Sequence, residues 1–392
     1  MIVQSHEGGW SPLFEVRGRP VQGLTYHQRE GLTRGLMKHN GIEVIQARRN
    51  REFDLMRLAF ATFVILSHSP ELIDGNRSRE LLTRLTGAMS FGDLGVDGFF
   101  LMSGYLIVQS FVHDPELWNF LRKRVLRIYP GYLVACVLVT IVLGSLIPAE
   151  PGFFRALNYH TVTAMAKLGM PPTPLVRLGS KVAGEDGSLW TIAYEFRCYL
   201  MVAFLGVAGL LRRKTVWVGL TVLFFAAYVS PWVSRHLFWH RGYFYTGEPE
   251  QTFRLASAFF VGGCFFLLKE RIKFLPIYAG CAFAVLVAVR FTSSYLFQPA
   301  MMLAGGYLLF YLGQMKLHWV DRLPKFPDIS YGVYLYGWPV ELLWIDYMHG
   351  SPWTTFLAVS VISYGLGWLS WHFVERPMLK LKKRTTATLP AG

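Results

Sequence analysis

The chain has 392 residues, of which 53% are apolar and only 16% charged, with a formal net charge of +14 and a mean hydropathy of +0.32. Soluble domains carry about a quarter charged residues, so this composition excludes an ordinary soluble enzyme of one or two domains. The basic excess lies in short clusters between apolar runs rather than along one face, which excludes a nucleic-acid surface.

Residues 1–50 are polar and rich in Gly and Arg, without the apolar stretch of a secretory signal. They are expected to form a disordered cytoplasmic tail, with Met37 as a second plausible start. Ten apolar segments follow, at roughly 53–73, 91–113, 128–148, 189–211, 215–233, 251–268, 274–290, 297–313, 329–347 and 354–376. Each approaches the roughly 20 residues that a spanning helix needs. The fold class expected is therefore all-α, a polytopic membrane protein with about ten transmembrane helices. One membrane domain would cover 51–380, with a cytoplasmic tail at 381–392. The clusters RKRVLR, RRK, KERIK, KLHWVDRLPK and KLKKR fall on one side of this arrangement, and the positive-inside rule then puts both termini in the cytoplasm. Cys136, Cys198, Cys264 and Cys281 all lie in apolar segments without metal-ligand or disulfide spacing, as small core residues do.

Ionisable residues inside spans cost about 2.5–3.5 kcal/mol each on insertion scales and usually mark a site. The first span holds Asp54, Arg57 and His68. Arg57 and His68 are eleven residues apart, about 20° from alignment on a helix with a rise of roughly 16 Å between them. One stripe thus carries a guanidinium at the inner lip and an imidazole in the outer half. In the second span Gly92, Gly95 and Gly98 permit close approach of another helix. Asp97 in that span and Glu195 in the fourth fall at the level of His68, roughly 7–10 Å below the outer boundary. That is where a general base and an orienting carboxylate are required. Arg124 and Arg127, neighbours on a helix surface, suit phosphate groups at the inner lip. The bland alternatives are topogenic or snorkelling arginines, a helix-end histidine, and Glu195 as a structural partner of Arg197.

These motifs, in order, resemble the acyltransferase-3 family of bacterial integral membrane acyltransferases. The resemblance runs over about 50–380. It begins at Asp54 and at Arg57 with His68, continues through GDLGVDGFFLMSGYLI, Arg124-x-x-Arg127 and SLWTIAYEF, and ends in ISYGVYLYGWPV and HFVERP. It implies transfer of an acetyl or other short acyl group from acyl-CoA, a donor substrate and not a bound cofactor, to a hydroxyl. The acceptor implied is a glycan, a lipid-linked glycan or another hydroxyl compound, at the bacterial inner membrane. His68 would be the leading catalytic residue with Arg57 its motif partner, and Arg124 and Arg127 would serve the CoA side. Many relatives carry a histidine where this chain has Gly337, which puts two-histidine mechanisms in doubt and adds weight to His68.

The mechanism expected docks the CoA nucleotide among Arg57, Arg124 and Arg127, with the acceptor entering from outside under the long connection between the third and fourth spans. Asp97 or Glu195 would orient the imidazole, and Ser103 and Tyr194 are candidate oxyanion donors. No metal is expected. Two other classes fit the same charges: a transporter or flippase of glycans, and a structural subunit of an envelope-assembly complex.

Overall fold

The computed structural model describes residues 42–146, 153–170, 187–230, 248–315 and 326–381, with the short stretches 15–16, 19–20, 176–178, 181–183, 320 and 322–323. Met37, most of the amino-terminal tail, most of the KLHWVDRLPK cluster and the tail beyond 381 lie outside the described residues. The chain divides into two compact units, residues 1–52 and 53–392. In the first, β1 (Glu15–Val16) pairs antiparallel with β2 (Arg19–Pro20). A second antiparallel pair, β3 (Val176–Leu178) with β4 (Lys181–Ala183), belongs to the larger unit.

Otherwise the described chain is helical. The first half holds α1 (Ile42–Asp74), α2 (Leu81–Thr86), α3 (Phe91–His113), α4 (Leu117–Leu146), α5 (Phe153–Ala156), α6 (Tyr159–Ala166) and α7 (Trp190–Val207). Next come α8 (Lys214–Val229), α9 (Pro249–Leu267), α10 (Pro276–Thr292), α11 (Ser294–Ala300) and α12 (Gly306–Gln314). The last three are α13 (Ser330–Met348), α14 (Pro352–Ser370) and α15 (Arg376–Lys380). The π-turns Met301–Gly305 and Trp371–Glu375 join α11 to α12 and α14 to α15.

Among the described residues four helices are long and apolar enough to cross a membrane: Phe91–His113, Leu117–Leu146, Ser294–Gln314 and Pro352–Lys380. Helices α8 and α10 are apolar but shorter. Leu133, Val137, Leu138 and Ile141 on α4, and Phe283, Val285 and Val287 on α10, are exposed. Outward-facing apolar rows of this kind suit a lipid solvent, in which helices satisfy their own backbone groups. The protein is a helical membrane protein.

Small residues set the packing. The Gly92, Gly95 and Gly98 face of α3 meets α1, where a methyl on Gly95 would strike the Phe60 carbonyl oxygen and one on Gly98 the Phe60 ring. The opposite face meets α9 more closely still. A methyl on Gly104 would overlap the Phe259 carbonyl oxygen, and one on Gly262 the Leu101 carbonyl oxygen. Removing Cβ atoms lets main chains touch, the usual device where lipid gives no hydrophobic drive to helix association. Ser90 and Asp93 form a capping box that fixes the start of α3.

The connection between α4 and α7 ends, in its described part, with Gly187 against the Trp338 ring. Its described first part runs back along α4. Phe153 and Phe154 lie against Gly144, Tyr129 donates to the Ala166 carbonyl at 3.1 Å, and Tyr132 donates to that of Gly169. Leu168, buried, turns the chain there at φ 61°.

Candidate active site

His68 projects from α1 into a cavity of about 370 Å³ that it shares with Ser67, Trp190, Arg254, Tyr334 and Trp338. Two residues of α13, three positions apart and so on one face, hold the imidazole. The Trp338 ring meets it edge-on, with centroids 4.8 Å apart. Glu341 places Oε2 3.4 Å from His68 Nδ1, and its side chain is fully buried. Ser69 donates to the other oxygen, Oε1, at 2.9 Å. A carboxylate fixed on Nδ1 leaves Nε2 of the ring for proton transfer.

The carboxylates expected beside His68 are engaged elsewhere. Asp97 is buried, accepts from Arg254 Nε at 2.9 Å and accepts from Gln298 at 3.0 Å. Arg254 also reaches Asp93 at 3.2 Å, so the pair staples α9 to the start of α3. Glu195 accepts from Ser103 at 2.9 Å and from Tyr199 at 2.5 Å. The carboxylate that the structure sets against His68 is Glu341 instead. Depth alone does not say which helix stands opposite. The missed signal was an acid two residues after Pro339, inside an apolar segment.

The three arginines also separate. Arg57 and Arg127 converge on one carboxylate, Asp328, at 2.8 and 2.7 Å. Arg127 reaches Glu375 at 3.4 Å as well. Asp328 sits in the segment just before α13, and Glu375 ends the π-turn, a single-turn irregularity common at functional positions. Burial pulls the Asp328 carboxyl upward, but the guanidiniums of Arg57 and Arg127 and the Ser330 hydrogen bonds outweigh it and hold it at about 2. Arg124 turns the other way. It donates to Ser110 at 3.1 Å, lies over the rings of Phe120 and Tyr199, and leaves its buried Nε without a hydrogen-bond partner. No carboxylate lies within salt-bridge distance of it among the described residues.

A histidine backed by a buried carboxylate at a cavity is an arrangement suited to proton transfer. The model of an acyltransferase domain family, acyltransferase 3, matches residues 50–372. The chain belongs to this acyltransferase family. Among the relatives of this acyltransferase, the O-acetyl transferase of Shigella phage Sf6 is 28% identical over 345 residues, 83% of this chain and 95% of that one. Nodulation protein 10 of Rhizobium leguminosarum bv. viciae is 27% identical over 376 residues, 86% and 95% of the two chains. A shorter match, 28% over 121 residues, covers 30% of the acyltransferase and 29% of acyltransferase MdmB of Streptomyces mycarofaciens. No solved structure matches the chain.

Proposed function

We propose that this chain is an O-acyltransferase that moves an acetyl or other short acyl group from acyl-CoA to a hydroxyl of a glycan or glycan-like acceptor. It would do so from the bacterial inner membrane, as one domain over 51–380 with about ten passes and both termini in the cytoplasm. The observation that carries the reading is His68 in its cavity with Glu341 behind Nδ1. The name of one long relative, an O-acetyl transferase, supports an oxygen acceptor.

In this reading the acceptor hydroxyl gives its proton to Nε2 of His68 as its oxygen attacks the thioester carbonyl, and Glu341 stabilises the imidazolium that forms. The rise of roughly 16 Å from Arg57 to His68 is on the order of an extended pantetheine arm. The donor nucleotide is assigned to the Arg124 side of the inner end. Arg57 and Arg127 already carry protein carboxylates, whereas Arg124 has none at salt-bridge distance among the described residues. Paired charges and aromatic faces in the outer cavity, Trp190 and Trp338 among them, suit a neutral polyol.

Glu341→Gln keeps the shape but not the charge. It is expected to lower kcat by about 10²–10⁴, with little change in donor KM. Arg124→Ala should do the reverse, raising the acetyl-CoA KM about ten- to hundredfold, the worth of one charge-assisted hydrogen bond, at nearly constant kcat. An unchanged donor response would remove Arg124 from the assignment. The reading as a whole is tested by incubating purified protein with labelled acetyl-CoA and candidate glycans. Label on the glycan supports it. Glycan movement across a vesicle membrane without label overturns it in favour of a carrier.

A further inference from the structure

We propose that the indole N–H of Trp338 and the hydroxyl of Ser67 are the oxyanion donors of the acyl-transfer step, which rests on the acyltransferase reading above. Both side chains line the cavity that holds His68. Both polar atoms, Trp338 Nε1 and Ser67 Oγ, are buried and have no hydrogen-bond partner in the protein. A buried donor left unpaired costs about 1–3 kcal/mol, and native structures rarely keep one without a use. Here two belong to residues that line one cavity, beside the proposed base.

Their placement follows from the sequence. Ser67 precedes His68 on α1, about 100° round the helix, and both walls of that corner face the cavity. A Cβ at Gly92 would lie 3.0 Å from Ser67 Oγ, so the glycine there leaves the hydroxyl uncrowded. Trp338 rests edge-on against the imidazole. An indole N–H can only donate, so it binds an oxyanion without competing for the proton that His68 takes. The donors expected from sequence stand elsewhere. Ser103 donates to Glu195 at 2.9 Å, and the Tyr194 hydroxyl accepts the Glu248 N–H at 2.9 Å. Neither lines this cavity. Trp344 Nε1 is also unpaired, but Trp344 is not part of this wall either.

The step balances without another reactant. The acceptor oxygen forms a bond to the thioester carbon, its proton passes to His68 Nε2, and the carbonyl π pair moves onto oxygen. There the charge meets the Trp338 and Ser67 donors. Collapse of the intermediate breaks the C–S bond, and the leaving thiolate takes the proton back from the imidazolium. The products are ester and free CoA thiol.

The test removes each donor while keeping its volume. Trp338 is replaced by 3-benzothienylalanine, which exchanges the N–H for sulfur in the same bicycle, with Trp338→Phe as the genetically simple companion. Ser67→Ala removes the hydroxyl. Each is expected to lower kcat for acetyl-CoA about 10²–10³-fold, with donor KM and the binding of free CoA unchanged. Wild-type kcat in the benzothienylalanine protein or in Ser67→Ala would overturn the assignment, and so would a loss confined to donor KM. If the unmodified protein transferred nothing from acetyl-CoA, the underlying reading would fall and this one with it. Active wild type with unaffected variants overturns the donors alone.

Discussion

A His68→Ala protein is expected to accumulate in the membrane at wild-type level and to transfer no measurable acyl group. The loss should be at least the 10²–10⁴-fold that a positioned acid–base group contributes, and larger where no other group can take the proton. None stands ready. The position two residues before Pro339 is Gly337, which can take no proton, and Glu341 is set behind Nδ1. Stability should fall modestly, because fully buried Glu341 loses its partner at Nδ1, without preventing accumulation of folded protein. Combining His68→Ala with Glu341→Gln should cost no more than His68→Ala alone, since the acid acts only through the ring. Normal acylation by the single variant, measured with labelled donor, would dismiss His68 as the base.

The second large effect is on stability. Asp328→Ala should lower the unfolding free energy by about 3 kcal/mol, because it strips one carboxylate from two part-buried guanidiniums at once. Arg127 keeps Glu375 at 3.4 Å, which holds the cost at the lower end. Among the described residues Arg57 keeps no other carboxylate at salt-bridge distance. The readout is thermal unfolding in detergent, with a melting temperature several degrees lower. Arg79→Ala is the internal control: its ion pair with Asp74 is exposed, and loss of such a pair should leave the melt unmoved. Equal melts for Asp328→Ala and wild type would show that the cluster ties nothing together. The pH dependence has a definite sign. A depressed carboxyl stabilises fully above its unfolded value of about 3.9 and loses that contribution as pH falls towards 2. From about pH 5 upward the contribution of Asp328 should therefore be flat.

Much of the scaffold was legible because periodicity is local. The glycine face of α3 and the stripe linking Arg57 to His68 follow from 3.6 residues per turn, and the structure uses the glycines as spacing suggests. Pairing across helices was not legible. Asp97, Glu195 and Glu341 are chemically alike, and only the tertiary arrangement gives Asp97 to Arg254 on α9 and Glu341 to His68 on α1. The link from Glu195 to Tyr199, four residues on, was within reach of sequence reasoning, since such neighbours share a helix face. Asp328 was hidden for another reason. It sits in a connecting segment outside any apolar run, so the search for charges within spans passed over it. The arginine pair seemed a single phosphate fork, yet Arg124 and Arg127 lie nearly a turn apart and turn to different neighbours.

The touching main chains of α3 and α9 limit how this machine can breathe. With Gly104 against the Phe259 carbonyl and Gly262 against that of Leu101, neither helix can slide past the other without collision, so they form one stiff plank. Any widening that lets a bulky thioester reach the imidazole must come from the far wall, where α1 and α13 meet through side chains instead of backbone.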